Sequence, residues 1–349
     1  MNAETTPMRD RAWGVLVGFL VLSEVATTVY FSTGWLPKEE LERNLEDVRK
    51  EVAAKPADCP PTLVSRGLYR EVEFTTDFYG VKWQGDTRFH IDEYILYLGA
   101  YEKHMLYFMR DTMKKLAPGG GVFVDVGANT GQHSVFMVPY SKVIHAIEPY
   151  PPALNRFRKT IELNGLKNIV IHDVGLADAA SESDFFASES QSGGSFAESE
   201  FTVGATKEKL RLVRGDDLLE GTRIDMIKMD IEGYEKLALK GLTETIKTSR
   251  PIIVVEVTVN DTMKENFKSI DELRAVLPES YDLLEFDNAA CHLGYGLYVL
   301  KDFDPDFKKT RFADTVAVPR EKRGAIMMTN KGLTTDPMGQ PKERKLEMH

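Results

Sequence analysis

Gly121-Val122-Phe123-Val124-Asp125-Val126-Gly127-Ala128-Asn129-Thr130-Gly131-Gln132-His133-Ser134 is the stretch whose reading decides the fold. Val122 to Val126 is short, apolar and β-branched, and it ends at a glycine, the pattern of a buried strand. Gly127 and Gly131 bracket a turn whose missing side chains let backbone approach a ligand closely. Gln132 to Val138 can open a helix whose free N–H groups face that ligand. Strand, glycine loop and helix N-terminus together make a nucleotide-type cradle. No Gly-Lys-Ser/Thr follows, so it is not a P-loop. Ala128-Asn129 replaces the middle glycine of G-x-G-x-x-G, which departs from the dinucleotide fingerprint.

Working outward, Asp125 puts an acid at the strand end beside a tight loop, which suits a ligand with an amino group and a carboxylate. Glu148 ends the next apolar strand, Val143 to Ile147, roughly 20 residues on, where an acid can bind ribose hydroxyls. Pro149-Tyr150-Pro151-Pro152 is a rigid turn with a proline suited to the first helical position. Leu154, Phe157 and Ile161 form the buried stripe of that helix, and Asn164-Gly165 stops it. Ile169 to Val174 reads as the third strand, with Val174 where an adenine could rest. Strand–helix alternation implies parallel crossovers, with ligands at the strands' carboxyl ends.

A second informative stretch is Ile224-Asp225-Met226-Ile227-Lys228-Met229-Asp230-Ile231-Glu232-Gly233-Tyr234-Glu235. Its alternation is too polar for a wholly buried strand without a reason. Asp230 and Glu232 project near its carboxyl end, beside the cleft, and are the candidate general bases; His133 and His104 are outside candidates. The plainer alternative is a structural role, bonding neighbouring loops or Lys228. Paired carboxylates suit magnesium or calcium, but these two alone are too few ligands, so no metal is assigned.

The remaining chain fits around these pieces. Asp77-Phe78-Tyr79-Gly80 and Gln84-Gly85-Asp86 mark turns of a small hairpin cap. A helix follows Gly99-Ala100-Tyr101-Glu102, with Met105, Leu106, Met109, Met113 and Leu116 on one face; Glu102 and His104 at its start are candidates for lining the pocket. Ser188 to Glu200 is serine-, glycine- and glutamate-rich, a surface insertion or a lid over the acceptor site. After the second stretch come a helix, the strand Ile252 to Val257, another helix, and strands Tyr281–Phe286 and Tyr295–Leu300, which complete the sheet.

Composition bounds the function. A net charge of −10 argues against a nucleic-acid partner. Cys59 and Cys291 lie far apart, and the seven histidines contain no His-x-x-x-His pair, so no metal signature appears. Ala12 to about Trp35 is hydrophobic, interrupted by Glu24, and reads as an uncleaved single-pass membrane anchor, with a cleaved signal peptide as the rival reading. Lysine and arginine counts lean slightly towards a cytoplasmic catalytic side. The expected organisation is an anchor over 1–36, a charged stalk over 37–61, a cap over 62–118, a catalytic domain over 119–318 and a disordered tail over 319–349.

Asp125-Val126-Gly127-Ala128-Asn129-Thr130-Gly131, Glu148-Pro149, Leu163-Asn164 and the run from Ile224 to Glu235 together resemble the FkbM family of S-adenosylmethionine (SAM)-dependent methyltransferases. Gly99-Ala100-Tyr101-Glu102 also fits, and the likeness covers roughly Phe78 to Leu300. Thr130 stands where the family usually has isoleucine. The resemblance implies a class I methyltransferase fold: α/β, doubly wound and Rossmann-like, with a mostly parallel seven-stranded sheet. It also implies O-methylation of a sugar, glycan, lipid or other small hydroxylated metabolite. SAM is then expected at Asp125, Gly127, Asn129, Gly131, Glu148 and Val174, with Asp230 or Glu232 as base. A nicotinamide-dependent oxidoreductase and a membrane-tethered, non-catalytic nucleotide-binding domain are the alternatives.

Overall fold

The protein, seen in a computed structural model, is described over residues 73–188, 193–196, 206–259, 267–287, 296–304, 311–331 and 347–348. The expected anchor and stalk, the start of the cap, most of Ser188–Glu200 and the end of the tail lie outside these residues. Among the described residues no helix is long and apolar enough to cross a membrane.

The chain runs through β1 (Glu73–Phe78), β2 (Val81–Asp86), α1 (His90–Leu98), α2 (Lys103–Leu116), β3 (Gly121–Val126) and α3 (Gln132–Met137). It continues with β4 (Ser141–Ile147), α4 (Pro151–Asn164), β5 (Ile169–His172), β6 (Gly175–Ala177), β7 (Ser181–Ser188), β8 (Gly193–Ser195) and β9 (Thr206–Arg214). Then come α5 (Gly215–Leu218), β10 (Met226–Met229), α6 (Glu235–Gly241), α7 (Thr243–Ser249), β11 (Ile252–Val259) and α8 (Ile270–Val276). The last elements are β12 (Tyr281–Phe286), β13 (Leu300–Asp302), β14 (Arg311–Pro319) and β15 (Glu347–Met348).

The main sheet is eight-stranded, in the order β13-β12-β14-β11-β10-β3-β4-β5. β5, β4, β3, β10 and β11 run parallel, while β14, β12 and β13 pair antiparallel. This corrects the expected seven-stranded, mostly parallel sheet: the parallel half is as expected, and the other half is a mixed extension. The difference lies in Arg311–Pro319, which enters between β11 and β12. Of the expected strand Tyr295–Leu300, only Leu300 lies in a strand among the described residues: Gly296 has φ +65°, and β13 begins at Leu300.

Alternation along each strand splits the core in two. On one face Phe123, Met226, Val254 and Val316 join Met105, Leu106, Met109 and Met113 of α2, the apolar stripe read from the sequence. On the other, Val124, Ile227, Ile253 and Val255 join Ala238, Leu239, Leu242 and Ile246 of the helices after β10. Each fully buried side chain of this size contributes about 1.5–3 kcal/mol. Helices therefore cover both faces, as a doubly wound fold requires.

The cap hairpin turns at Tyr79 and Gly80, both at positive φ as a two-residue primed turn demands. The Gln84-Gly85-Asp86 turn is absent, because these residues continue β2. Asn164, at the end of α4, brackets Lys82: its Oδ1 accepts the Lys82 N–H and its Nδ2 donates to the Lys82 carbonyl, both at 2.8 Å. A separate four-stranded sheet, β6-β9-β7-β8, occupies part of the region expected as an irregular insertion. The expected disordered tail is also corrected in part. Residues 320–325 form a 3-10 helix, and Asn330 is fully buried.

Candidate active site

Five strands carry apolar residues on the α2 face and then a charged one at the same edge of the sheet. Phe123 is followed by Asp125, Met226 by Lys228, Val254 by Glu256 and Ala146 by Glu148; antiparallel β14 brings Asp314 two residues before Val316. Register sets Asp125 beside Lys228 and Glu256 beside Asp314. The opening of α2 adds Glu102, whose φ is +46°, and His104, whose Nε2 lies 3.8 Å from Asp314 Oδ2. Period-two alternation thus turns an apolar face into a charged cleft within one row of side chains.

Lys228 is the cationic centre of this row. Its side chain is 4% exposed and its Nζ lies 3.3 Å from Asp230 Oδ2. Burial, the largest influence, works to lower its pKa, but Asp230, Asp125 and Glu102 together outweigh it and hold the ammonium above its ordinary range. Burial, then the charges of Asp314 and Asp230, push the Glu102 carboxyl up to about 8. His133 faces it, Nε2 to Oε2 at 3.3 Å. Burial, then Lys228, drop the His133 imidazole to about 3, so it is neutral at physiological pH.

The glycine loop joins β3 to α3 under tight constraints. Gly127 N–H and Ala128 N–H both donate to the Ile147 carbonyl, at 2.9 and 3.1 Å. A Cβ on Gly127 (φ +79°) would collide with the Asp230 carbonyl oxygen, and one on Gly131 (φ +89°) with the Phe157 ring. These glycines were expected to yield space to a ligand; the structure shows that they also yield it to the protein. Asn129, at φ +50°, accepts the Thr130 N–H through Oδ1 at 2.8 Å. Its Nδ2 would lie 2.8 Å from a Cβ on Gly193, so β8 sits directly against this loop.

Glu148 ties the loop to the next strand. Its Oε2 accepts the Asn129 N–H at 2.8 Å and its Oε1 the Tyr150 N–H at 2.9 Å. Burial pushes its carboxyl up to about 7 against these bonds, and the charge of Asp125 adds to the rise. Asp125 is fully buried and accepts the Ser134 hydroxyl through Oδ2 at 2.6 Å. Its Oδ1 is buried with no hydrogen-bond partner among the described residues.

Of the residues singled out in sequence, Asp125, Gly127, Asn129, Gly131 and Glu148 converge on one loop, with Asp230 at the adjoining strand tip. Val174 is placed differently: it is 7% exposed and belongs to the apolar cluster of Val124, Val126 and Ile147, on the face away from α2. Glu232 is exposed at a turn with φ +53°, and its carbonyl accepts the Ser195 hydroxyl at 2.7 Å. Sequence reasoning missed Glu235, Glu256 and Asp314. Glu235 is buried and accepts the Ile231 and Gly233 N–H groups, both at 2.9 Å, which shapes the turn carrying Asp230 and Glu232. Burial pushes it up to about 7. Glu256 had a signal, as the lone acid in the apolar run of β11; Asp314 lay in a strand that was not foreseen. One carboxylate oxygen each from Asp230, Glu235 and Glu256 lie within 4.8 Å of one another, a spacing a cation could bridge.

Residues 125–295 match the model of the Methyltransferase FkbM domain. The hexuronic acid methyltransferase AglP of Haloferax volcanii is 25% identical over 156 residues, which is 44% of this chain and 62% of that protein. This chain thus spans less than two thirds of the curated relative's length. Among solved structures, a methyltransferase FkbM from Methylobacillus flagellatus aligns at 17% identity and a TM-score of 0.36, covering 66% of this chain and 56% of that one. TYW2 of M. jannaschii, solved with AdoMet, aligns at 16% identity and a TM-score of 0.36, covering 71% and 85%.

Proposed function

From the premise that residues 125–295 form a domain of the FkbM methyltransferase family, we propose that the chain moves the methyl group of SAM onto a hydroxyl oxygen of a small metabolite, glycan or lipid. The observation that carries this reading is the convergence of Asp125 and Glu148 on the Gly127–Gly131 loop, with Asp230 at the next strand tip.

The residues present fit SAM. The orphaned, buried Asp125 Oδ1 is an acceptor for an ammonium group. Glu148 spends one lone pair per oxygen on backbone N–H groups, which leaves others for ribose hydroxyls. When bound, SAM supplies a methyl group activated by its sulfonium. Asp230, partly exposed at the cleft, takes the proton of the acceptor hydroxyl, and Lys228 fixes the Asp230 carboxylate in place. Alignment of the reacting atoms is worth up to about 7–11 kcal/mol. A general base is worth about 10²–10⁴-fold, or roughly 3–5 kcal/mol. Positioning therefore dominates, and the rigid loop matters as much as the base.

A nicotinamide enzyme fits poorly: where a dinucleotide's second glycine admits the pyrophosphate, this chain has Asn129, bonded to Thr130 and packed against Gly193. The hydrophobic Ala12–Trp35 segment would hold the domain at a membrane, which alkaline extraction of membranes from expressing cells tests. Titration calorimetry with SAM and NAD tests the function: SAM binding without NAD binding is expected, and the reverse ends the reading. Transfer of labelled methyl from SAM to a cell extract separates an active enzyme from a non-catalytic relative.

A further inference from the structure

A cavity outside the proposed active site lies at the other end of the main sheet. In antiparallel β14, Asp314 pairs with Glu256 at the charged cleft, whereas Pro319 pairs with Tyr281 at the start of β12. Five residues of extended strand separate these two ends by roughly 17 Å. The cavity encloses about 650 Å³ between the end of α8, the start of β12, the end of β13 and the 3-10 helix over 320–325. That volume suits a small organic molecule. Backbone bonds pin its frame. The Phe303 N–H donates to the Leu283 carbonyl at 3.2 Å, and the Arg320 N–H to the Ser280 carbonyl at 3.0 Å.

The lining joins apolar and cationic groups. Leu277, Leu284 and Phe303 are buried and make an apolar floor, and Arg274, Arg320 and Arg323 carry the positive charge. The three arginines are not equivalent. Arg320 is already paired, with its Nε 3.0 Å from Asp282 Oδ1. Arg323 is half-buried and forms no ion pair among the described residues. Its Nη2 donates to the Met328 sulfur at 3.3 Å, and its Nη1 is buried with no partner among the described residues. A thioether is a weak acceptor, so this guanidinium is held partly desolvated without an oxygen to satisfy it. Arg274 is exposed and likewise unpaired among the described residues. Glu279 and Asp302 also line the cavity, but both are exposed, where water solvates them. They limit the charge that a ligand can bring. A monoanion gains from Arg323 and Arg274, whereas a dianion is also opposed by the two carboxylates.

We propose that this cavity binds a small amphipathic monocarboxylate, with its apolar body on Leu277, Leu284 and Phe303 and its carboxylate on the Arg323 guanidinium. A carboxylate offers two parallel acceptors that match the guanidinium fork, and Arg274 adds attraction from the rim. The site is separate from the methyl-transfer cleft, and its occupancy does not depend on the SAM reading.

Titration calorimetry of the full chain with hydrocinnamate tests the proposal, beside its uncharged amide, phenethylammonium and inorganic phosphate. Saturable binding of hydrocinnamate is expected, with the other three probes weaker by at least about 10-fold. Arg323→Met should weaken hydrocinnamate binding by about 10-fold or more. Arg320→Met should change it by less than about 3-fold, because that guanidinium is already committed to Asp282. The comparison of probes on the unaltered chain decides the matter even if a variant does not fold. No saturation by hydrocinnamate below about 10 mM overturns the proposal. So does equal or tighter binding of the amide, the ammonium or phosphate, an Arg323→Met Kd equal to the original, or an equal loss in Arg320→Met.

Discussion

Gly127 and Asp230 are in backbone contact: a side chain on the first would overlap the carbonyl oxygen of the second. The Asp230 N–H also donates to the Val126 carbonyl at 3.1 Å. The proposed cofactor loop and the proposed base are thus fastened to each other before any ligand arrives. Such prior alignment is the larger share of the expected rate enhancement.

Gly127→Ala should therefore cost at least ~2 kcal/mol in urea denaturation and abolish SAM binding, from the left-handed backbone and from overlap with main chain that cannot move aside. Gly80→Ala is the control. Gly80 has a similar φ of +85° but nothing within 4 Å of the added carbon, so it should cost only ~1–2 kcal/mol and leave SAM affinity unchanged. Equal losses in the two variants would show that close packing at Gly127 is irrelevant.

Asp230→Asn should lower turnover by ~10²–10⁴-fold with SAM affinity within a few-fold of the original. Calorimetry and labelled-methyl transfer on the same preparation decide it. Retained full turnover removes Asp230 as the base.

Lys228→Met should destabilise by ~3–5 kcal/mol, since it strips the buried counter-charge from Asp125 and Asp230. Adding Asp230→Asn should recover part of that loss, because one uncompensated carboxylate is then neutral. No recovery in denaturant midpoint would mean that the pair is not coupled.

Stability should fall as pH rises from about 6.5 to 8.5. Glu148 and Glu235 titrate at about 7 in the folded protein and Glu102 at about 8. In the unfolded chain they titrate near 4.3, so the folded state holds more protons throughout this window. Their stabilising contribution is complete below the unfolded value and is lost through the folded ones. Buried neutral His133 has the opposite sign, but its effect ends once histidine in the unfolded chain is deprotonated, near 6.5. Glu235→Gln should flatten the slope by at most ~1.4 kcal/mol per pH unit. An unchanged slope in that variant refutes the assignment.

Asn330→Leu should cost ~2 kcal/mol or more. Its Oδ1 accepts the Tyr298 N–H at 2.9 Å and its Nδ2 donates to the Gly296 carbonyl at 2.8 Å. Leucine leaves both backbone groups unpaired in the interior. A thermal midpoint equal to that of the original chain would return this segment to the status of a dispensable tail.

The parallel half of the sheet was legible in sequence because its signals are local. Val122–Val126 and Val143–Ile147 are short apolar runs, Gly127 and Gly131 mark the turn, and Gly165 at φ +59° stops α4 where Asn164-Gly165 said it would. The mixed half was not legible. Arg311–Pro319 interleaves Asp314 and small residues with its apolar ones, so its strand character rests on pairing with β11 and β12 rather than on composition. The charged, glycine-containing stretch after it reads as disordered, yet Asn330 is buried by bonds to a distant segment.

The site divides in the same way. Residue order alone determined that Asp125, the glycine loop and Glu148 stand at successive strand ends, because a βαβ unit places them there through short-range geometry. Only the tertiary structure decided that Glu256, Asp314 and Glu102 meet Asp230 around a buried lysine. Long-range pairing of β11 with β14 and the docking of α2 put them together, and neither leaves a periodicity in the chain.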